Sequence, residues 1–177
     1  MAHSDRGKQV WLKDFDEKDP SGLLFPALNL NLDEISCAIG ISSIKRLPSV
    51  IKARTKFVSE FYKALKAKSK VCSAFRYSSD DSPFVCPVKV NTELINCGKI
   101  EFAEAVKAEG ISLSSEYKYL VEDWLWVRPY LSDDYACNNA RKILDNSFNI
   151  YLNENYGTAE VNDIVESIIK VESNYLI

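Results

Sequence analysis

The chain has 177 residues, and its 22 Lys and Arg against 25 Asp and Glu give a net charge of -3. This length is typical of one domain, and 46% hydrophobic with 27% charged residues is an ordinary globular composition. These values exclude disordered, collagen-like and fibrous chains, and the slightly acidic balance disfavours a nucleic-acid partner. Because no apolar run reaches the ~18 residues of a membrane span and the N-terminus lacks an apolar signal core, we expect a cytoplasmic protein without a membrane partner.

The chain begins with a polar segment. Residues 1–26 contain only brief apolar patches, at Val10-Trp11 and Leu23-Leu24-Phe25, so we predict an N-terminal arm or loop there. Residues 27–177 are then assigned to one folded domain.

Two helices are predicted next, separated at Pro48. Asn31 followed by Glu34 is the pattern of a capping box, which starts a helix at Leu32. Pro48 suits the first turn of a second, longer helix that reaches about Lys68. The apolar positions of the first helix cover more than one of its faces, so we expect burial on two sides. These positions are Ile35, Ala38, Ile39, Ile41, Ile44 and Leu47.

Strand-like runs and a short helix follow. The runs are Val71–Ser78 and Phe84–Asn91, and Pro87 in the second indicates an edge position or a bulge. A short helix from about Gly98 stops at Gly110, a residue typical of the position just past a helix end. The alternating segment Ile111–Ser114 predicts another strand.

The last part of the chain completes an α+β pattern. The aromatic stretch from Tyr117 to Tyr130 predicts a packed loop, followed by a helix over Ala136–Leu144 and a strand over Phe148–Leu152. The helix after Gly157-Thr158 has a clear apolar stripe. We therefore predict an α+β domain whose small antiparallel sheet is covered by helices.

The residue inventory excludes several kinds of site. The chain has one histidine and no CxxC pair, so zinc and dithiol redox sites lack their ligands, and we expect no metal. The isolated glycines give neither a GxGxxG turn nor a P-loop. The five cysteines are mostly embedded among apolar residues and are expected to be buried free thiols. They are Cys37, Cys72, Cys86, Cys97 and Cys137.

Charged clusters predict solvated surface. The acidic pairs, such as Glu122-Asp123, lie in polar contexts typical of loops. Nine basic residues lie between Lys45 and Lys70 against the single acid Glu60. A nucleic-acid reader could use such a stripe, but the outer face of an amphipathic helix has the same pattern, and the net charge favours that second interpretation.

One segment resembles a known family. Residues 25–40 read FPALNLNLDEISCAIG. This resembles the block that opens the small domain of DegT-type, PLP-dependent nucleotide-sugar aminotransferases, usually G-[YF]-N-x-R-M-x-E-[LI]-x-A-A-I-G. The likeness continues in the family's order through Lys45-Arg46-Leu47, the segment Phe102–Ile111 and Tyr156-Gly157, and covers about residues 25–175.

The resemblance implies a part of an enzyme. By it, residues 27–177 are the C-terminal small domain of a fold-type I PLP aminotransferase, and the family's PLP lysine lies upstream of this chain. Transamination needs that lysine, so the chain alone is expected to be inactive and to bind no PLP stably. The implied partners are a large PLP-binding domain or subunit, a second copy of the chain, and a nucleotide sugar that receives an amino group from glutamate.

The resemblance also implies two site residues. Asn29 matches the family asparagine that reaches the PLP phosphate of the partner subunit, although shaping the turn is an equally simple role for it. Tyr117 matches a substrate-side tyrosine. Asn31, Leu28 and Glu116 stand where the family usually has an arginine, an aromatic residue and a histidine. The alternative function is a non-catalytic dimerisation or partner-binding module derived from the family.

Overall fold

The computed structural model describes residues 33–117, 120–132 and 136–177 of the chain. The described residues form four α-helices and a four-stranded antiparallel sheet, which confirms the predicted α+β class. They divide into two compact units, residues 33–43 with 120–132 and 136–141, and residues 44–117 with 142–177. The predicted arm, residues 1–26, lies outside the described part of the chain.

A single helix replaces the two that were predicted. Helix α1 spans Glu34–Lys68 and includes Pro48 in its interior. It begins after Asp33, whose Oδ1 accepts the backbone N–H of Ser36 at 2.8 Å and so caps the helix. The prediction of a new start at Pro48 was wrong because proline removes only one helical hydrogen bond, and the residues on both sides of it favour a helix.

Burial changes along α1. The second half is buried through Phe57, Val58, Phe61 and Leu65, which pack into the core. The first half is exposed, although it was expected to be buried on two sides. Within the described residues, therefore, α1 is a core helix only after about Val50.

The sheet has the order β1-β2-β4-β3, with every pair antiparallel. Its strands are β1 (Cys72–Ala74), β2 (Val85–Val90), β3 (Leu113–Ser114) and β4 (Ser147–Tyr151). Pro87 was predicted at an edge or bulge, yet it lies in β2, an interior strand opposite Asn149 of β4. The short strand β1 pairs only with Val88–Val90, so Pro87 has a neighbouring strand on one side only.

Three further α-helices lie in the described residues. Helices α2 (Lys99–Ala108) and α3 (Asn138–Asp145) agree with the predicted elements, and α4 (Thr158–Tyr175) carries the clearest buried stripe. Gly110 ends α2 with a φ of 95°, a conformation that glycine adopts without strain. The core is formed by α1, α2, α4 and the inner face of the sheet. Its largest fully buried side chains are Phe57, Phe61, Phe102, Phe148, Leu65, Ile150 and Ile168.

All five cysteines are free, as predicted. Cys72 and Cys86 are buried, and burial raises the pKa of each thiol to about 12. Cys97 and Cys137 are half-buried. Cys37 is exposed on the first half of α1, so the expectation of burial was wrong there.

Candidate functional site

The two residues implied by the family resemblance have different outcomes. Asn29 lies outside the described residues. Tyr117 follows β3 and is 67% exposed, so its ring and hydroxyl are open to a ligand.

The backbone before Tyr117 is held by a buried lysine. Lys99, the first residue of α2, is 7% exposed and donates from Nζ to the carbonyl oxygen of Ser115 at 2.9 Å. Burial lowers the pKa of Lys99, while Glu116 and Asp145 favour its charged form. The hydroxyl of Ser114 donates to the carbonyl oxygen of Glu116 at 2.7 Å. These contacts order the backbone that leads to Tyr117.

A second ordered site is built around Arg141 on α3. Its guanidinium donates to both carboxylate oxygens of Asp123 and, at 2.9 Å, to Glu122 Oε1. Glu122 Oε2 also accepts the backbone N–H of Cys137 at 2.6 Å. The prediction of a solvated acidic loop was wrong here, because both carboxylates are half-buried and paired.

The Arg141 contacts shift the pKa values of both acids. The pKa of Asp123 is lowered mainly by its hydrogen bonds from Arg141. The pKa of Glu122 is lowered first by the N–H of Cys137 and then by Arg141. Both carboxyls are therefore held in the ionised state, and a group held as carboxylate is a poor general acid at neutral pH.

The aromatic segment between these acids and residue 131 is only partly packed. Trp124 and Trp126 stack with ring centroids 5.7 Å apart, and Trp126 meets Tyr130 edge-on. Tyr130 is 79% exposed, and the buried indole N–H of Trp124 has no hydrogen-bond partner among the described residues. Residues 121–130 form two short 3-10 helices, Val121–Asp123 and Leu125–Tyr130, where a packed loop was predicted.

A small cleft of about 180 Å³ lies between the end of α2 and the start of α4. Its polar lining includes Tyr156, Glu160 and Asp163. Glu160 Oε2 accepts the N–H of Gly157 at 2.7 Å, which caps α4 and lowers the pKa of the carboxyl. Since two carboxylates face this cleft, a phosphate group is a poor ligand for it.

The described residues do not fit PLP as a complete site. Covalent attachment of PLP requires an available lysine amine in a shielded position. Lys99 is the only buried lysine in the described ranges, and its amine is committed to Ser115. The same ranges contain no group of three or more His, Cys, Asp or Glu side chains that could hold a metal ion.

The basic residues of α1 lie mostly at the surface. All nine between Lys45 and Lys70 are exposed except Arg54, which is half-buried and lies 3.6 Å from Glu154. This agrees with the predicted solvated outer face of an amphipathic helix. None of the described helices is long and apolar enough to cross a lipid bilayer.

Comparison with known proteins identifies the class of this fold. The chain resembles Helicobacter pylori PseC, an aminotransferase of pseudoaminic acid biosynthesis, with 17% identity and a TM-score of 0.67 over 86% of this chain and 40% of that one. An aminotransferase from Psychrobacter cryohalolentis gives 15% identity and 0.64 over 98% and 48%. A PLP-containing GDP-4-keto-6-deoxy-D-mannose-3-dehydratase from E. coli gives 20% identity and 0.61 over 82% and 37%.

The family model of the DegT/DnrJ/EryC1/StrS aminotransferases matches residues 3–169. The chain therefore belongs to that family, which confirms the resemblance found in its sequence. It spans less than half the length of the solved structures it matches, between 37% and 48% of the three above. No curated protein sequence matches the chain.

Proposed function

We propose that the chain is the C-terminal small domain of a PLP-dependent sugar aminotransferase. In the complete enzyme, an amino group would pass from glutamate to a nucleotide-linked keto-sugar in the cytoplasm, as one step of polysaccharide biosynthesis. The observation that carries the proposal is the family match over residues 3–169, together with the neighbours' much longer chains. The hydrogen bond of the Lys99 amine to Ser115 supports a cofactor lysine elsewhere in the enzyme.

The proposal assigns roles to two residues of this chain. Asn29 would contact the PLP phosphate in a partner subunit of a homo-oligomer. Tyr117 would contact the nucleotide sugar, for which its exposed side chain and ordered backbone are suitable. Neither residue would form or break a covalent bond.

The first experiment is to sequence the source gene upstream of the codon for residue 4. A polypeptide with the PLP lysine, in frame or in the adjoining gene, would then be produced separately and mixed with this chain. We expect glutamate-dependent amination of a nucleotide keto-sugar by the mixture, measured by mass spectrometry of the sugar, and none by the chain alone. A complex without amination or any other change of the sugar would instead support the partner-binding alternative.

The same assay separates two sugar chemistries. One of the similar structures is a 3-dehydratase, so the fold alone does not distinguish dehydration from amino transfer. An aminated product supports the proposal, whereas a dehydrated product that retains no nitrogen contradicts it.

Tyr117 gives a specific test of the substrate-side assignment. In the active mixture, Tyr117→Phe removes one hydrogen bond to the sugar, and we expect a rise in KM of roughly 5- to 30-fold, equivalent to about 1–2 kcal/mol. Tyr151→Phe is the matched control, because Tyr151 is also exposed, at 49%, and lies on β4. Equal KM values for the two variants would remove Tyr117 from the site.

A further inference from the structure

Lys99 occupies a position where two general rules disfavour a lysine. Its side chain is 7% exposed, and a lysine is almost never buried to this degree, because removing its charge from water is costly. Lys99 is also the first residue of α2, where the positive end of the helix dipole repels a cation. Neither burial nor the start of the helix favours a lysine here, so the reason for it lies in what its amine contacts.

The amine of Lys99 reaches from α2 to the segment that leaves the sheet. Its Nζ donates to the carbonyl oxygen of Ser115 at 2.9 Å. The last pair in the ladder between β3 and β4 is Ser114 with Asn149, and Ser115 is the next residue along the chain. The amine therefore holds the backbone at the point where strand pairing ends.

A second hydrogen bond orders the next peptide. The hydroxyl of Ser114 donates to the carbonyl oxygen of Glu116 at 2.7 Å, and this carbonyl belongs to the peptide bond that joins Glu116 to Tyr117. The carbonyl groups of residues 115 and 116 are thus both fixed. The exposed side chain of Tyr117 starts from a backbone that these two contacts hold in place.

We propose that Lys99 is a positioning residue, which holds the backbone before Tyr117 so that the tyrosine hydroxyl meets the nucleotide sugar. This inference rests on the proposed function and adds to it a third residue of this chain. Lys99 touches neither sugar nor cofactor in this assignment and acts only through the carbonyl oxygen of Ser115. A local rule that is broken without gain for the fold is expected near a functional site.

Hydrogen exchange in the 177-residue chain tests the ordering without any cofactor. Lys99→Met keeps an apolar side chain but removes the donor, and we expect the amides of residues 115–117 to exchange roughly fivefold faster, the equivalent of one ordinary hydrogen bond. The amides of α4 should keep their wild-type rates. Lys107→Met is the matched control, because Lys107 lies on the same helix and pairs with Glu104 at the surface.

Kinetics of the active mixture test the link to the substrate. We expect Lys99→Met to raise the KM for the nucleotide sugar by roughly 3- to 10-fold and to leave kcat within about twofold of wild type. Because Lys99 acts only through Tyr117, the double variant with Tyr117→Phe should have the KM of Tyr117→Phe alone. A merely structural role would instead lower kcat, or its effect on KM would multiply with that of Tyr117→Phe.

Each outcome decides one question. Faster exchange at residues 115–117 with non-additive KM values supports the inference, whereas wild-type exchange, a wild-type KM or multiplying effects overturn it. An inactive mixture contradicts the proposed function, and exchange in the chain alone then decides whether Lys99 orders this segment. If Lys99→Met does not fold, Ser114→Ala removes the second hydrogen bond without changing α2, and the same exchange rates and KM values decide the inference.

Discussion

At the scale of single residues, the least expected feature is a buried carboxylate that joins two ends of the core. Glu172 on α4 is 5% exposed. Its Oε1 accepts the backbone N–H of Lys70 at 2.8 Å, and its Oε2 accepts the hydroxyl of Ser69 at 2.6 Å. Ser69 in turn accepts the N–H of Cys72 at 2.7 Å, so the turn from α1 into β1 depends on this one acid.

Replacing Glu172 should destabilise the fold. Glu172→Ala leaves the N–H of Lys70 and the hydroxyl of Ser69 without their partner, and we expect the free energy of unfolding to fall by about 1–3 kcal/mol. Urea unfolding followed by circular dichroism measures this change. Glu166→Ala is the control, because Glu166 lies on the same helix and is exposed. A loss no larger than that of the control would show that water replaces the carboxylate without cost.

Sequence reasoning could not find the role of Glu172 or the pairing of Arg141. Glu172 lies on the buried stripe of α4, in register with Val165 and Ile168, but its partners are 102 and 103 residues away in the sequence. Arg141 is 18 and 19 residues from the acids it holds. Such pairings arise when helices and loops meet, and no local spacing in the sequence indicates them.

At the scale of elements, α1 shows that local sequence signals predict helix but do not predict what the helix packs against. The caps and periodicity predicted helix on both sides of Pro48, and the structure confirms the helical content. Continuity through Pro48 and the bare first half were not predicted. The apolar residues of that half were expected to be buried on two sides, and they are exposed.

Gly40 permits a test of α1 in the chain by itself. Gly40→Ala reduces the conformational entropy of the unfolded chain, and the added Cβ meets no atom of the described residues within 4 Å outside the adjacent helical backbone. We therefore expect the free energy of unfolding of the isolated chain to rise by about 0.5–1 kcal/mol if the first half of α1 unfolds together with the core. Chemical denaturation measures the gain. Gly98→Ala is the comparison, since a Cβ there also meets nothing within 4 Å but lies at the N-cap of α2, outside the helix interior. A loss of stability on Gly40→Ala would mean that some part of this chain already packs on Gly40.

At the scale of the whole molecule, several carboxyl groups make the stability of the fold depend on pH in the acidic range. The pKa values of Asp33, Glu122, Asp123 and Glu160 are all lowered by hydrogen bonds that the fold supplies. A carboxyl whose pKa is lower in the folded state contributes stability that is fully present above its unfolded pKa. That contribution is lost as the pH falls through the folded pKa.

We therefore expect the urea midpoint to be nearly constant above a pH of about 5 and to fall below a pH of about 4, near the unfolded pKa values of these groups. Arg141→Met should lower the midpoint at neutral pH and make its decline in acid shallower, because Glu122 and Asp123 lose their cationic partner. Arg128→Met serves as the control for an exposed arginine. If the urea midpoint of Arg141→Met falls in acid as steeply as that of wild type, the pairing of Glu122 and Asp123 with Arg141 is not the source of the acid dependence.

The sequence by itself determined the class and the family of this protein. Alternation and helical periodicity give the α+β elements, because burial of one face acts on residues close together in the chain. The block at residues 25–40 led to the aminotransferase family, which the match over residues 3–169 confirms. Only the tertiary structure decided that Pro48 lies inside one helix, that Glu172 and Arg141 hold distant segments, and that the first half of α1 is bare. These features depend on contacts between residues far apart in the chain, or on a surface that makes no contact among the described residues. The local spacing of residues in the sequence indicates neither.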